Sequence, residues 1–205
     1  MNNIIERKSR PGKRLLGTIK TDFIKARLIM PNDGFNFIVF AFLLLKSRTA
    51  RIQTAIRFRS ANWILSTASR IYLKLFFIEV GKNTQIGEFF FLPHPRCIII
   101  ADNVILGNYV NIGQYATIGG NFKKTKTTNT NTGMVQKLPI IGNNVVVAAG
   151  AVVGGPVTIG NDVIIGANAV VTKDIPNNKI VTGNNKISTR DIKVDNTCGE
   201  YKYLG

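Results

Sequence analysis

The chain has 205 residues, 45% hydrophobic and 19% charged, with 27 Lys and Arg against 11 Asp and Glu and a formal net charge of +16. That length holds one or two modest domains. Two cysteines, Cys97 and Cys198, exclude a disulfide framework, and the longest apolar run, Phe35 to Leu45, is about half of what a membrane-spanning helix needs. The charge is uneven: residues 1–77 carry 15 basic and 3 acidic side chains, residues 78–205 carry 12 and 8. Such an imbalance suits an anionic surface. No nucleic-acid-binding motif accompanies it, so peripheral contact with a membrane is expected ahead of nucleic acid. The basic start lacks the apolar stretch of a secretory signal, which predicts a cytoplasmic protein, at most at the inner face of the membrane.

Met1 to Lys20 reads as a basic, polar leader without packed structure. From Thr21 to Phe77, Phe35, Ile38, Val39, Phe42 and Leu45 fall at helical spacing, and Ile52, Ile56, Trp63, Ile64 and Tyr72 more loosely. Arg48, Arg51, Arg57, Arg59 and Arg70 lie between them. This predicts two or three amphipathic helices, with Pro31-Asn32-Asp33-Gly34 as breaker and helix start. Their apolar face either packs on the rest of the chain or a neighbouring subunit, or lies on anionic lipid.

At Val80 the period becomes six. Thirteen hexads begin with an aliphatic residue, as in IGNDVI at 159–164 and IGANAV at 165–170. Six fits neither a helix nor a plain strand. It fits a coiled sheet in which each hexad is one short strand and one turn. The leading aliphatics then stack inside, and Gly or Asn relieves backbone strain at the corners. The period slips by two residues between the hexads starting at Leu92 and Ile100. It breaks again between Ile118 and Ile141, where about seventeen residues, with Lys123, Lys124, Lys126 and Lys137, are predicted to leave as a polar loop. A loop that long inside a compact repeat is usually functional or mobile. Pro176 to Ile187 reads as a turn and a short capping strand, and the rest as a loosely held tail. The divisions are thus a basic helical region over 1–77, a coil over 78–187 with its extruded loop at 121–139, and a tail over 188–205.

The chain's one histidine, His94, sits beside the slip, between Pro93 and Pro95. Glu79 lies fifteen residues earlier, slightly under one eighteen-residue coil, so the two are expected near each other. A carboxylate beside an imidazole keeps one ring nitrogen protonated and leaves the other free to accept a proton. Taken alone, Glu79 is equally a solvated charge and His94 a structural residue. One histidine and two distant cysteines do not supply the three ligands a zinc site needs, so no catalytic metal is expected. Cys97 stands three residues from His94, and a buried thiol is favoured over a nucleophilic pair.

These residues resemble the hexapeptide-repeat acetyltransferases, whose fold is a left-handed parallel β-helix. Within them the stretch from Ile78 to about Ile187 is similar to the serine acetyltransferase branch and to its relatives that O-acetylate capsular and other cell-surface sugars. The resemblance implies a mainly β fold preceded by a short helical region, acetyl-CoA as co-substrate, and a homotrimer with each site between two coils. It makes His94, in LPHPRCIII, the general base and Glu79, where the family usually has aspartate, its partner acid. It places Gly119 and Gly120, in QYATIGG, along the acetyl-CoA arm, with Ala149 and Ala167 on the pantetheine groove and Lys173 near the CoA phosphates. Two departures bear on the acceptor. Leu138-Pro139 stands where serine acetyltransferases carry His-Pro, and the helical region is short. On these the expected function is O-acetylation of a surface-polysaccharide sugar or its precursor. L-serine acetylation is the alternative, and a non-catalytic trimeric scaffold presenting basic arms is a third reading.

Overall fold

The computed structural model describes residues 11–26, 28, 37–121, 125–129 and 134–189. The expected breaker at Pro31–Gly34, Phe35, Lys123, Lys124 and Cys198 lie outside these residues, as do the first ten residues and the tail beyond 189.

Four helices come first: α1 (Pro11–Lys25), α2 (Phe37–Lys46), α3 (Arg48–Phe58) and α4 (Trp63–Lys74). The unpacked leader is corrected over 11–20, which are helical. Ile19 and Phe23, one helical turn apart, are fully buried, and the surrounding lysines and arginines had masked that stripe. Ser47 and Asn62 cap α3 and α4, their side chains accepting from the amides of Ala50 and Leu65. No helix among the described residues is long and apolar enough to cross a membrane.

The hexads form a parallel β-helix with three faces. One face pairs β1 (Glu79–Val80), β3 (Ile99–Ile100), β6 (Thr117–Gly119), β11 (Val152–Gly154) and β14 (Val170–Val171). The second pairs β2 (Gln85–Ile86), β4 (Ile105–Leu106), β9 (Ile140–Ile141) and β12 (Thr158–Ile159). The third pairs β5 (Asn111–Ile112), β10 (Val146–Val147), β13 (Ile164–Ile165) and β15 (Lys179–Thr182), with β16 (Lys186–Thr189) closing the end antiparallel. Val152 stands opposite Val170, a coil of eighteen, whereas Glu79 stands opposite Ile99, a coil of twenty. The two-residue slip is therefore extra chain at one turn. The leading aliphatics are buried from Val80 to Val171, with only Ile86 partly exposed, and they form one continuous column.

The corners bear out the expected asparagines but give the second-position glycines another task. The residue in the left-handed conformation is the fourth of most hexads, as at Asn103, Tyr115, Asn144 and Asn168, where φ lies between 54° and 62°. Asn tolerates that left-handed conformation better than most residues. The second-position glycines answer a different need. A Cβ on Gly81 would stand 2.2 Å from Asp102 Cα, and one on Gly142 would stand 2.8 Å from the Gly160 carbonyl carbon. They let successive coils stack closely. An asparagine ladder adds to the stacking: Asn108, Asn143 and Asn161 each donate a backbone N–H to the side-chain oxygen of Asn143, Asn161 and Asn177, at 2.8 Å.

The extruded segment is more than a polar loop. Its β7 (Lys126–Asn129) and β8 (Met134–Gln136) pair antiparallel. Buried Gln136 anchors the base of this hairpin, its Nε2 donating to the carbonyls of Leu138 and Val157.

The helices dock on the first coil through a buried ion pair. Arg57 Nε and Nη2 donate to the two carboxylate oxygens of Asp22, each at 2.8 Å, and the same guanidinium donates to the carbonyls of Ile86 and Gly87. Asp22 also accepts from the Phe90 amide. Gln53 Nε2 and Arg59 Nε donate to the carbonyls of Phe90 and Val80.

Candidate functional site

His94 lies on the bulge at 93–97 that takes up the two extra residues, and its side chain is exposed. Pro93 and Pro95 restrict the backbone on both sides. The bulge is tied back by the Cys97 amide, which donates to the Phe76 carbonyl, and by the Arg96 carbonyl, which accepts from the Tyr115 amide. Cys97 is half-buried with φ 52°, a corner conformation that fits a turn residue.

Glu79 opens β1 on the adjoining coil and is exposed. Its register partner is Ile99, five residues past His94. No hydrogen bond or ion pair joins Glu79 to His94 in the single chain; with a coil of twenty, His94 falls five residues short of the position directly across from the acid.

The other expected site residues fall into two columns. Ala149 and Ala167 stack at one corner: the Gly150 amide donates to the Gln114 carbonyl and the Asn168 amide to the Ala149 carbonyl. The His94 bulge begins the same column through the Arg96–Tyr115 hydrogen bond. Gly119 and Gly120 lie at the next corner, after β6, where the Gly155 amide donates to the Gly119 carbonyl at 2.9 Å. Lys173, exposed, follows β14 at that same corner two coils on. Gly154 is five positions past Ala149 across the corner at Gly150, so at most about 16 Å from it at the rise of a strand. The structure thus unites His94 with the alanines, and the glycines with Lys173, on opposite edges of one sheet.

Gly154 and Gly155 were missed from the sequence. They stand in register with Gly119 and Gly120, and the signal was the Gly-Gly pair recurring thirty-five residues on, one coil plus the extruded loop. Unlike Gly81 and Gly142, Gly119 and Gly154 are not required by coil stacking, whereas Gly155 has φ 99° and a Cβ on it or on Gly120 would crowd Asn121 or Leu138, at 3.2 and 3.3 Å. A Cβ on Gly154 would meet nothing within 4 Å, and one on Gly119 would meet only Ala101 Cβ, at 3.7 Å. Their openness leaves room along the coil edge for an extended ligand. A cavity of about 50 Å³ lined by Arg57, Arg59, Gly81 and Thr84 lies where the helices meet the first coil. No group of three His, Cys, Asp or Glu that could hold a metal ion occurs among the described residues.

Residues 139–173 match the family model "Bacterial transferase hexapeptide (six repeats)". The chain is 32% identical over 120 residues to a serine acetyltransferase of Synechococcus elongatus, covering 58% of this chain and 44% of that one. It is 41% identical over 106 residues to a serine acetyltransferase of Synechocystis, covering 52% and 39%. The chain thus spans less than half the length of these relatives. The crystal structure of Neisseria gonorrhoeae serine acetyltransferase superposes with a TM-score of 0.70 at 21% identity, over 89% of this chain and 68% of that one. The fold is therefore the expected left-handed parallel β-helix with helices before it.

The polysaccharide reading is corrected by these relatives, which are serine acetyltransferases by sequence and by structure alike. That reading leaned on Leu138 and a short helical arm. Leu138 packs against the buried core beneath the hairpin, so its apolar character answers to packing there. The arm is four packed helices.

Proposed function

We propose that this chain transfers the acetyl group of acetyl-CoA to the hydroxyl of L-serine. The observation that carries the proposal is the match of the coil to serine acetyltransferases over 106–120 residues at 32–41% identity. The exposed His94 bulge and the open glycine edge on that coil support it. His94 would take the serine hydroxyl proton as the oxygen attacks the thioester carbonyl. The carbon–sulfur bond then breaks, and the imidazolium returns its proton to the departing CoA sulfur. Glu79 is assigned the partner of the imidazolium, since catalytic hydrogen bonds often tighten only in the substrate complex. The glycines at 119, 120, 154 and 155 would admit the acetyl-CoA arm, with Ala149 and Ala167 beside it and Lys173 toward its phosphates.

The site is proposed to form between copies in a homotrimer. His94 and the glycine edge lie on different corners of one chain, so a site using both needs a corner from a neighbouring copy. The sheet between them turns Ile99 and Val170 outward, 44% and 37% exposed. Apolar residues so placed are suited to cover by a second coil.

The test is release of free thiol from acetyl-CoA by the purified protein with and without L-serine. Serine-dependent release is expected. Leu138 offers the acceptor no hydrogen bond where resembling enzymes have histidine, so serine should bind with a raised KM. Thiol release indifferent to serine would sink the proposal.

A further inference from the structure

The fourth helix is inside out. Its buried residues are Ser66, Ser69 and Leu73. Ser66 is held there by hydrogen bonds with Arg59, and the Ser69 hydroxyl donates to the Leu65 carbonyl. The opposite stripe, Ile64, Ala68, Ile71 and Leu75, follows helical spacing and faces outward, with Ile64 58%, Ile71 62% and Leu75 71% exposed. Trp63, 73% exposed, extends it at the N-terminal end. Helices normally bury the apolar stripe. The inversion leaves this stripe uncovered among the described residues.

The patch extends to α2, where Ile38, Phe42 and Leu45 lie on one face and are also exposed. Arg51 links the two helices, donating to the carbonyls of Leu44 and Leu45 and to the Tyr72 hydroxyl. The C-terminal ends of α2 and α4 therefore lie within one side chain of each other. Exposed Lys46, Arg48, Arg70 and Lys74 surround the apolar residues, and Lys46 Nζ sits 5.2 Å from the Phe42 ring centre. Between Pro11 and Lys74 the described residues hold one acid, Asp22, and it is consumed by Arg57.

We infer that this face docks on the surface of an anionic lipid bilayer. Apolar and aromatic residues would enter the headgroup boundary while the lysines and arginines meet lipid phosphates. A second copy of the chain is the poorer occupant, because pairing two such faces would bring together basic surfaces with no acid besides Asp22 among the described residues of the helices to offset them. The inference is independent of acetyl transfer, and its test requires no activity.

Trp63 is the chain's one tryptophan, so its emission reads this face directly. The full chain is mixed at low salt with phosphatidylglycerol–phosphatidylcholine vesicles and with phosphatidylcholine vesicles. On the anionic vesicles alone, Trp63 emission should shift to the blue, acrylamide quenching should fall, and the protein should sediment with lipid. Molar salt should reverse all three. The double variant Ile71→Ser, Leu75→Ser changes only exposed side chains. It should keep the wild-type circular dichroism and bind at least tenfold more weakly. Failure to sediment with anionic vesicles, or unweakened binding of the double variant, overturns the inference. A blue shift that grows with protein concentration without lipid gives the face to a second copy. Emission already blue and shielded in dilute protein gives it to another segment of the chain. Either result also overturns it.

Discussion

Asp22 is a fully buried carboxyl that meets a charged partner within hydrogen-bonding distance. Burial raises it from its ordinary 3.8 to about 6, while Arg57 and the Phe90 amide restrain the rise. A carboxyl raised on folding adds stability that is complete below pH 4 and is lost as pH climbs through about 6. A shift of roughly two units corresponds to about 3 kcal/mol at most. The melting temperature of wild type minus that of Asp22→Asn should therefore fall between pH 4 and pH 7, by thermal unfolding in matched buffers. A difference independent of pH would show that Asp22 does not titrate in this range. His94 gives the second test at this scale. His94→Ala should lower serine-dependent thiol release by roughly two to four orders of magnitude, the usual worth of a general base. Glu79→Gln should lose less, because an orienting carboxylate acts only through the ring. Near wild-type turnover by His94→Ala would remove the imidazole from the mechanism.

At the scale of the coil, two kinds of glycine make opposite predictions. Gly81→Ala drives a methyl into the backbone of the next coil, and the misfit should cost roughly 3 kcal/mol in denaturant unfolding. Gly154→Ala meets empty space, so stability should be unchanged while KM for acetyl-CoA rises. A stable Gly81→Ala would mean the coils can part without penalty. A Gly154→Ala enzyme with unaltered KM would take the ligand off this edge. Nothing in the sequence separates the two, since both follow an aliphatic residue at the head of a hexad. The difference is what stands on the adjoining coil.

For the whole molecule, the proposed homotrimer, with its site shared between two corners, predicts that the active form contains three copies of the 22.6 kDa chain. Light scattering on the purified protein should report that mass, and dilution to monomer should abolish thiol release. Full activity in a monomer would mean that one corner suffices.

The period of six by itself determined the coil, its aliphatic column, the extra residues at the slip and the length of the extruded segment. Each follows from neighbours a few residues apart repeating one local geometry. The place of His94 at the slip was legible for the same reason, as a break in that repetition, while its exposure was not. Only the tertiary structure decided what pairs across distance: Asp22 with Arg57 thirty-five residues on, Gly154 beside Gly119, Ile99 rather than His94 opposite Glu79. It also decided which side of α4 faces inward, because α4 is amphipathic whichever way it turns. The contacts of Ser66 with Arg59, and of the helices with the first coil, select the orientation that leaves its apolar stripe outside.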